Sequence, residues 1–193
     1  MQKMTRSARI AFGFMTLVAA STLTNVRVLA DAASRLQATV DDVAKKWPAI
    51  SHVAPADAEK MIGEGNAAIF DVRTEEEFAV SHVPGAIRVD PAMTREAFLS
   101  KHGAALKGKT AVFYCAVGVR SSNLAQRVGA DAMKTAGAVR SVNVAGGIFA
   151  WHGEALPLEN ANGKTELVHG YDSSWGKLIK RQELIATEPP KQR

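Results

Sequence analysis

Cysteine is nearly absent: Cys115 is the single one in 193 residues. An internal disulfide is therefore excluded, and a lone thiol in an oxidising compartment must be either buried or used. Long apolar runs are missing as well. The stretch from Ile10 to Ala20 is too short for a comfortable membrane span. There is no internal repeat and no low-complexity tract. The histidines at 52, 82, 102, 152 and 169 show no ligand spacing, so no metal site is read. A strong charge of one sign is also lacking once the N-terminus is set aside. Residues 1–30 hold Lys3, Arg6, Arg9 and Arg27 and no acid, so 24 − 4 = 20 basic residues then face 19 acidic ones. A net charge of +1 gives no reason to expect nucleic acid or a membrane surface as partner.

What is present at the N-terminus is a secretion pattern. A basic segment precedes the short apolar core, and small residues follow it. The expectation is a signal peptide over residues 1–30, cleaved after Ala20 or Ala30. The mature chain is then secreted, into the bacterial periplasm, without stable membrane insertion. Residues 31–50 form a helical leader, with Leu36, Val40, Val43 and Trp47 at approximately helical spacing and Pro48 ending the run.

The body alternates strand and helix signals. Ser51 to Val53 reads as a short edge strand, and Pro55 starts a helix to about Gly63. Ala67 to Val72 is an apolar run of the kind buried in a parallel sheet. Thr74 with Glu77 three residues on marks a capped helix start. A turn at His82-Val83-Pro84-Gly85, a strand at Ile87–Val89 and a helix from Thr94 to about Leu106 follow. Thr110 to Tyr114 is the clearest central strand. A helix is predicted from Ser122 to about Ala136, a strand at Val142–Val144, and a further helix through Trp151. This alternation implies an α/β fold with a parallel sheet covered on both faces. Trp175, Leu178 and Ile179 could dock the tail, and residues 188–191 read as frayed.

Cys115 stands where the central strand ends, on the edge where open α/β sheets bind ligands. The loop Ala116-Val117-Gly118-Val119-Arg120, followed by Ser121 and a helix, suits an anion. Its backbone amides can form a nest, and the helix adds its partly positive N-terminus. Gly118 permits a tight turn, Arg120 brings a charge and Ser121 a hydroxyl. These features favour thiolate over thiol, and equally a persulfide anion one atom further out.

The pattern Cys115-x-x-Gly118-x-Arg120-Ser121 after a buried strand resembles the active-site loop of rhodanese-type sulfurtransferases. Asp71-Val72-Arg73 with Glu76, Glu77 and Phe78 resembles an early signature of that family. Ser81-His82-Val83-Pro84-Gly85-Ala86 is similar to its histidine-proline-glycine turn, with serine where glycine is usual. Gly146-Gly147-Ile148-Phe149-Ala150-Trp151 resembles its C-terminal signature. The resemblance implies a rhodanese-like domain over residues 51–159, with a five-stranded parallel sheet and helices on both faces. Residues 160–193 are then a C-terminal extension. It further implies a sulfurtransferase without metal or organic cofactor. Cys115 is the catalytic residue, taking sulfane sulfur from a small donor such as thiosulfate. It passes that sulfur to a thiol, to cyanide or to a protein acceptor. Ala116, Val117, Gly118, Val119, Arg120 and Ser121 are the substrate-binding candidates.

Asp71, Arg73 and His82 are supporting candidates. An ion pair bracing loops and a contact to substrate are both open for the first two. His82 reads better as a turn-stabilising residue, because Pro84-Gly85 explains that motif as structure. Two rival functions stand beside transfer. One is a low-turnover sulfur carrier or partner-binding module. The other is a phosphatase sharing the fold, whose loop is one residue longer than the four between Cys115 and Arg120. Ala116 and Val117 are apolar where some thiosulfate-using relatives carry basic residues, which weakens the fit to thiosulfate in particular.

Overall fold

The computed structural model describes residues 30–189; the expected signal peptide lies outside the described residues, apart from Ala30. Five strands build one parallel sheet: β1 (Ser51–Val53), β2 (Ala67–Asp71), β3 (Ile87–Arg88), β4 (Thr110–Tyr114) and β5 (Arg140–Val144). Their spatial order is β1-β5-β4-β2-β3, and β4 pairs in parallel with β2 on one side and β5 on the other. Parallel neighbours need crossovers, and helices supply them. The helices are α1 (residues 30–46), α2 (Pro55–Gly63), α3 (Glu75–Val80), α4 (Arg95–Leu106), α5 (Val119–Val128), α6 (Ala130–Thr135) and α7 (Gly147–Gly153). The expected α/β architecture, with helices on both faces of a five-stranded sheet, is what the chain adopts.

Alternation along β4 assigns its side chains to two cores, since successive residues of a strand point to opposite faces. Val112 and Tyr114 join Ile148, Phe149 and Trp151 of α7 on one face. Ala111, Phe113 and Cys115 join Phe98 and Leu106 of α4 and Leu124 and Val128 of α5 on the other. Phe70, Phe98 and Phe113 form an aromatic cluster there, with Phe70 and Phe98 edge to face at 5.0 Å. Burying each such ring stabilises the fold by about 1.5–3 kcal/mol. All five residues of β4 are buried, so the point where the strand delivers its cysteine is held firmly.

Some local expectations need correction. The helix expected over Ser122 to Ala136 is two helices, α5 and α6, and the first begins earlier, at Val119. The break falls at Gly129, whose φ of 84° is left-handed and cannot continue a right-handed helix. The start moves forward because Gly118 (φ 101°) is the residue that caps α5. Beyond α7 the chain forms an antiparallel pair, β6 (Leu158–Asn160) and β7 (Gly163–Thr165), so the boundary expected after residue 159 falls inside β6. It then makes a small parallel pair, β8 (Val168–His169) and β9 (Ile185–Ala186). A 3-10 turn at Trp175–Leu178 lies between them, and Ile179 just beyond it is fully buried. The C-terminal extension thus packs on the domain.

Candidate active site around Cys115

Cys115 follows β4 directly, and the chain turns there because Gly118 can hold a left-handed backbone. A side chain at 118 would also stand 3.0 Å from Asn143 Nδ2 and 3.7 Å from Val43 of α1. The Gly118 N–H donates to Cys115 Sγ over 3.2 Å. α5 starts at the next residue, so its partly positive N-terminus faces the same loop. From behind, the α7 N-terminus braces the loop. The Ile148 N–H donates to the Cys115 carbonyl at 2.8 Å, and the Phe149 N–H to that of Ala116 at 3.1 Å. Gly147 makes this approach feasible: a Cβ there would lie 2.3 Å from the Cys115 oxygen. Of the two glycines of the C-terminal signature, Gly147 thus serves the cysteine loop, whereas Gly146 caps α7 and leaves room for Val40 of α1.

Cys115 is 1% exposed and opens on a recess of about 130 Å³. Ala116, Val117, Val119 and Arg120 of the loop line it, together with Tyr171 and Trp175 from the C-terminal extension. The last two were not among the expected site residues. They lie more than fifty positions beyond the loop; Trp175 is expected only to dock the tail, and no motif marks either residue as part of a site. α1 and the residue just after it reach the same region: Val43 and Trp47 share a neighbouring surface hollow with Val119 and Trp175.

The expected substrate-binding residues are placed unevenly. Ala116 and Val117 are buried apolar walls. Arg120 lies beside the recess, but its guanidinium is already engaged. Nη1 donates to Glu77 Oε2 at 2.7 Å and Nη2 to Oε1 at 2.8 Å, a bidentate ion pair. Burial works against the Arg120 charge. The Glu77 hydrogen bonds outweigh that and, with the nearby Cys115 and the Glu77 charge, hold its pKa above the ordinary value. Glu77 is fixed in turn, because the Thr74 N–H donates to Oε2 at 3.1 Å as one half of a capping box. Ser121 is fully buried on α5, and its hydroxyl has no partner among the described residues.

Asp71, Arg73 and His82 do not line the recess. Arg73 Nη2 donates to Asp71 Oδ2 and to the Ser81 carbonyl, both at 2.6 Å. The Tyr114 hydroxyl donates to Asp71 Oδ2 at 2.6 Å and accepts from the Val83 N–H at 3.1 Å. This buried network ties β2 and β4 to the His82-Val83-Pro84-Gly85 turn. Its charges hold the Arg73 pKa above the ordinary value, although burial opposes it. Burial, followed by the Asp71 charge, pushes the Tyr114 phenol well above its ordinary range. His82 stacks on Phe78 with ring centroids 3.7 Å apart and shares a backbone bridge with Glu159. Of the readings open for these three residues, bracing is the one the geometry supports.

A buried strand that ends in a cysteine, held at a glycine-capped helix start on the carboxyl edge of a five-stranded parallel sheet, defines an α/β domain with a cysteine-bearing loop at that edge. Over residues 54–154 the chain matches the family model described as a rhodanese-like domain, and it belongs to that family. It is 33% identical over 99 residues to a Bacillus subtilis protein named "Putative sulfurtransferase YtwF", covering 51% of this chain and 86% of that one. It is 28% identical over 164 residues to a tRNA uridine(34) hydroxylase of Mesorhizobium japonicum, spanning 77% of this chain but half of that enzyme. Among solved structures, a thiosulfate sulfurtransferase from Pseudomonas aeruginosa superposes with a TM-score of 0.45 at 17% identity. That match covers 80% of this chain and 26% of that one.

Proposed function

We propose that the protein is a sulfurtransferase that carries sulfane sulfur as a persulfide on Cys115. The observation that carries this reading is the Cys115 thiol at the β4 end, with the Gly118 N–H on its sulfur and the start of α5 beside it. The Cys115 thiolate attacks the outer sulfur of a donor such as thiosulfate. A sulfur–sulfur bond forms at Sγ, and sulfite leaves with the electron pair of the bond that breaks. The persulfide anion left on Cys115 faces the same backbone donors and helix end. A thiol, cyanide or a protein acceptor then removes the outer sulfur and restores the thiolate, so that one hard displacement becomes two easier ones. The N-terminal pattern supports export to the bacterial periplasm. The N-terminal residue of the exported protein, Ser21 or Asp31, tests that part.

The transfer test is intact mass spectrometry after exposure to thiosulfate. Wild type should gain one sulfur, about 32 Da, and lose it to cyanide as thiocyanate. Cys115→Ser should gain none while keeping its fold by circular dichroism. An adduct that no acceptor removes identifies a low-turnover carrier. A sulfur adduct on the serine variant removes Cys115 from the role.

A further inference from the structure

We infer that the recess over Cys115 selects sulfane-sulfur donors whose transferable sulfur is attached to an apolar organic group and which carry at most one negative charge. This deepens the sulfurtransferase reading and rests on it. Three observations meet here. First, Arg120 is the charged side chain lining the recess, and its charge is paired with the Glu77 carboxylate, which takes one N–H from each terminal nitrogen, while the guanidinium also lies near Cys115. The capping box with Thr74 holds that carboxylate, so a dianion entering the recess meets a neutral ion pair. It gives up hydration for the backbone donors of the loop alone, with no unpaired cation to balance its second charge. Second, the remaining walls are apolar: Ala116, Val117 and Val119 with the rings of Tyr171 and Trp175. The volume of about 130 Å³ is close to the roughly 150 Å³ apolar cavity that holds benzene in another protein. Third, Tyr171 sits at φ 65°, left-handed backbone that is costly for a residue with a Cβ. Held there, its ring lies 5.0 Å from the Arg120 guanidinium carbon and covers the cation's face.

The step balances with an aryl thiosulfonate as donor. The Cys115 thiolate attacks the terminal sulfur of R–SO2–S⁻. The new sulfur–sulfur bond forms as the donor's breaks, and the sulfinate R–SO2⁻ leaves with the bonding pair. No proton moves, and the persulfide anion remains on Cys115. Cyanide removes the outer sulfur as thiocyanate and returns the thiolate.

The experiment measures kcat/KM for benzenethiosulfonate and for thiosulfate, with cyanide as common acceptor. The full chain is compared with its Tyr171→Ala, Trp175→Ala and Glu77→Gln variants. The readout is the ratio of the two donors' kcat/KM, so the donors' differing intrinsic reactivity cancels between wild type and variant. Losing an apolar wall costs about tenfold or more. The ratio should therefore fall about tenfold in Trp175→Ala and in Tyr171→Ala. It should also fall in Glu77→Gln, where Arg120 is released for an anion. Tyr171 is half exposed, so its variant keeps the test valid if Trp175→Ala fails to fold. A ratio within twofold of wild type in Tyr171→Ala and Glu77→Gln overturns the inference while sulfur labelling of Cys115 still upholds transfer. Failure of both donors to label Cys115 in folded wild type overturns the sulfurtransferase reading, and this inference with it.

Discussion

Replacing Gly147 by alanine should damage both stability and transfer, although residue 147 touches no substrate. Its φ is 55°, and a side chain in that left-handed region costs about 1–2 kcal/mol. The added Cβ would also lie 2.3 Å from the Cys115 carbonyl oxygen and 2.6 Å from that of Ala116. Backbone must give way, since both contacts are to main chain. The two hydrogen bonds that the α7 start makes to those carbonyls are the ones strained, each contributing about 0.5–1.5 kcal/mol. The sum is about 2–5 kcal/mol. Gly163 is the control: its φ is 101°, but a Cβ added there would meet no atom within 4 Å. Gly163→Ala should therefore show the strain alone, about 1–2 kcal/mol. Urea unfolding of both variants, read as a change in midpoint at constant slope, checks this. Transfer rate should fall as well in Gly147→Ala, because a shift of about 1 Å at a nucleophile can cost about a hundredfold. Equal stabilities for the two variants would refute the view that α7 braces the cysteine loop.

Asp71→Asn should cost about 3–5 kcal/mol, because it leaves the fully buried Arg73 guanidinium without its counter-charge; chemical denaturation measures it, and a loss under about 1 kcal/mol contradicts the bracing role. Acid should destabilise the protein through Glu77. Burial pushes its pKa up, but the Arg120 hydrogen bonds and charge, the Thr74 amide and Arg73 outweigh that and hold it below the ordinary 4.5. A group depressed in the folded state stabilises above its unfolded value and loses that contribution as pH falls through the folded one. Glu77→Gln should therefore flatten the stability profile below about pH 4.5. His152 acts higher. Burial lowers its pKa from 6.5, against the opposing hydrogen bond to the Glu166 carbonyl. The folded state resists a proton that the unfolded chain accepts, so stability should start to fall as pH drops below about 6.5. Unfolding midpoints that do not change from about pH 8 to pH 5 would contradict it.

Much of the frame around Cys115 was legible because it is local. The run Thr110 to Tyr114, the cysteine that follows it, Gly118 and the start of a helix lie within twelve consecutive residues. Thr74 and Glu77 announce α3 by spacing alone, and the structure has both halves of their capping box. The break at Gly129 was not legible. One glycine inside a helical pattern costs only about 1 kcal/mol, so the pattern alone does not tell an interruption from a tolerated residue. The bracing role of Asp71 and Arg73 was one of two readings, and only their contacts with Tyr114 and Ser81 separated it from substrate binding.

The sequence by itself determined that Cys115 is delivered at a strand end into a glycine-containing loop ahead of a helix, because periodicity and capping act over a few residues. Tertiary structure alone decided what surrounds that cysteine. Glu77 meets Arg120 across 43 positions, and Gly147 lets α7 reach the Cys115 carbonyl from more than thirty positions away. Tyr171 and Trp175 close the recess from the C-terminal extension. Such contacts depend on how the crossovers bring distant segments to one sheet edge, and no spacing rule along the chain encodes them. The loop's place at a strand end could be read from its letters, whereas the pairing of its charge and the shape of its mouth belong to the fold.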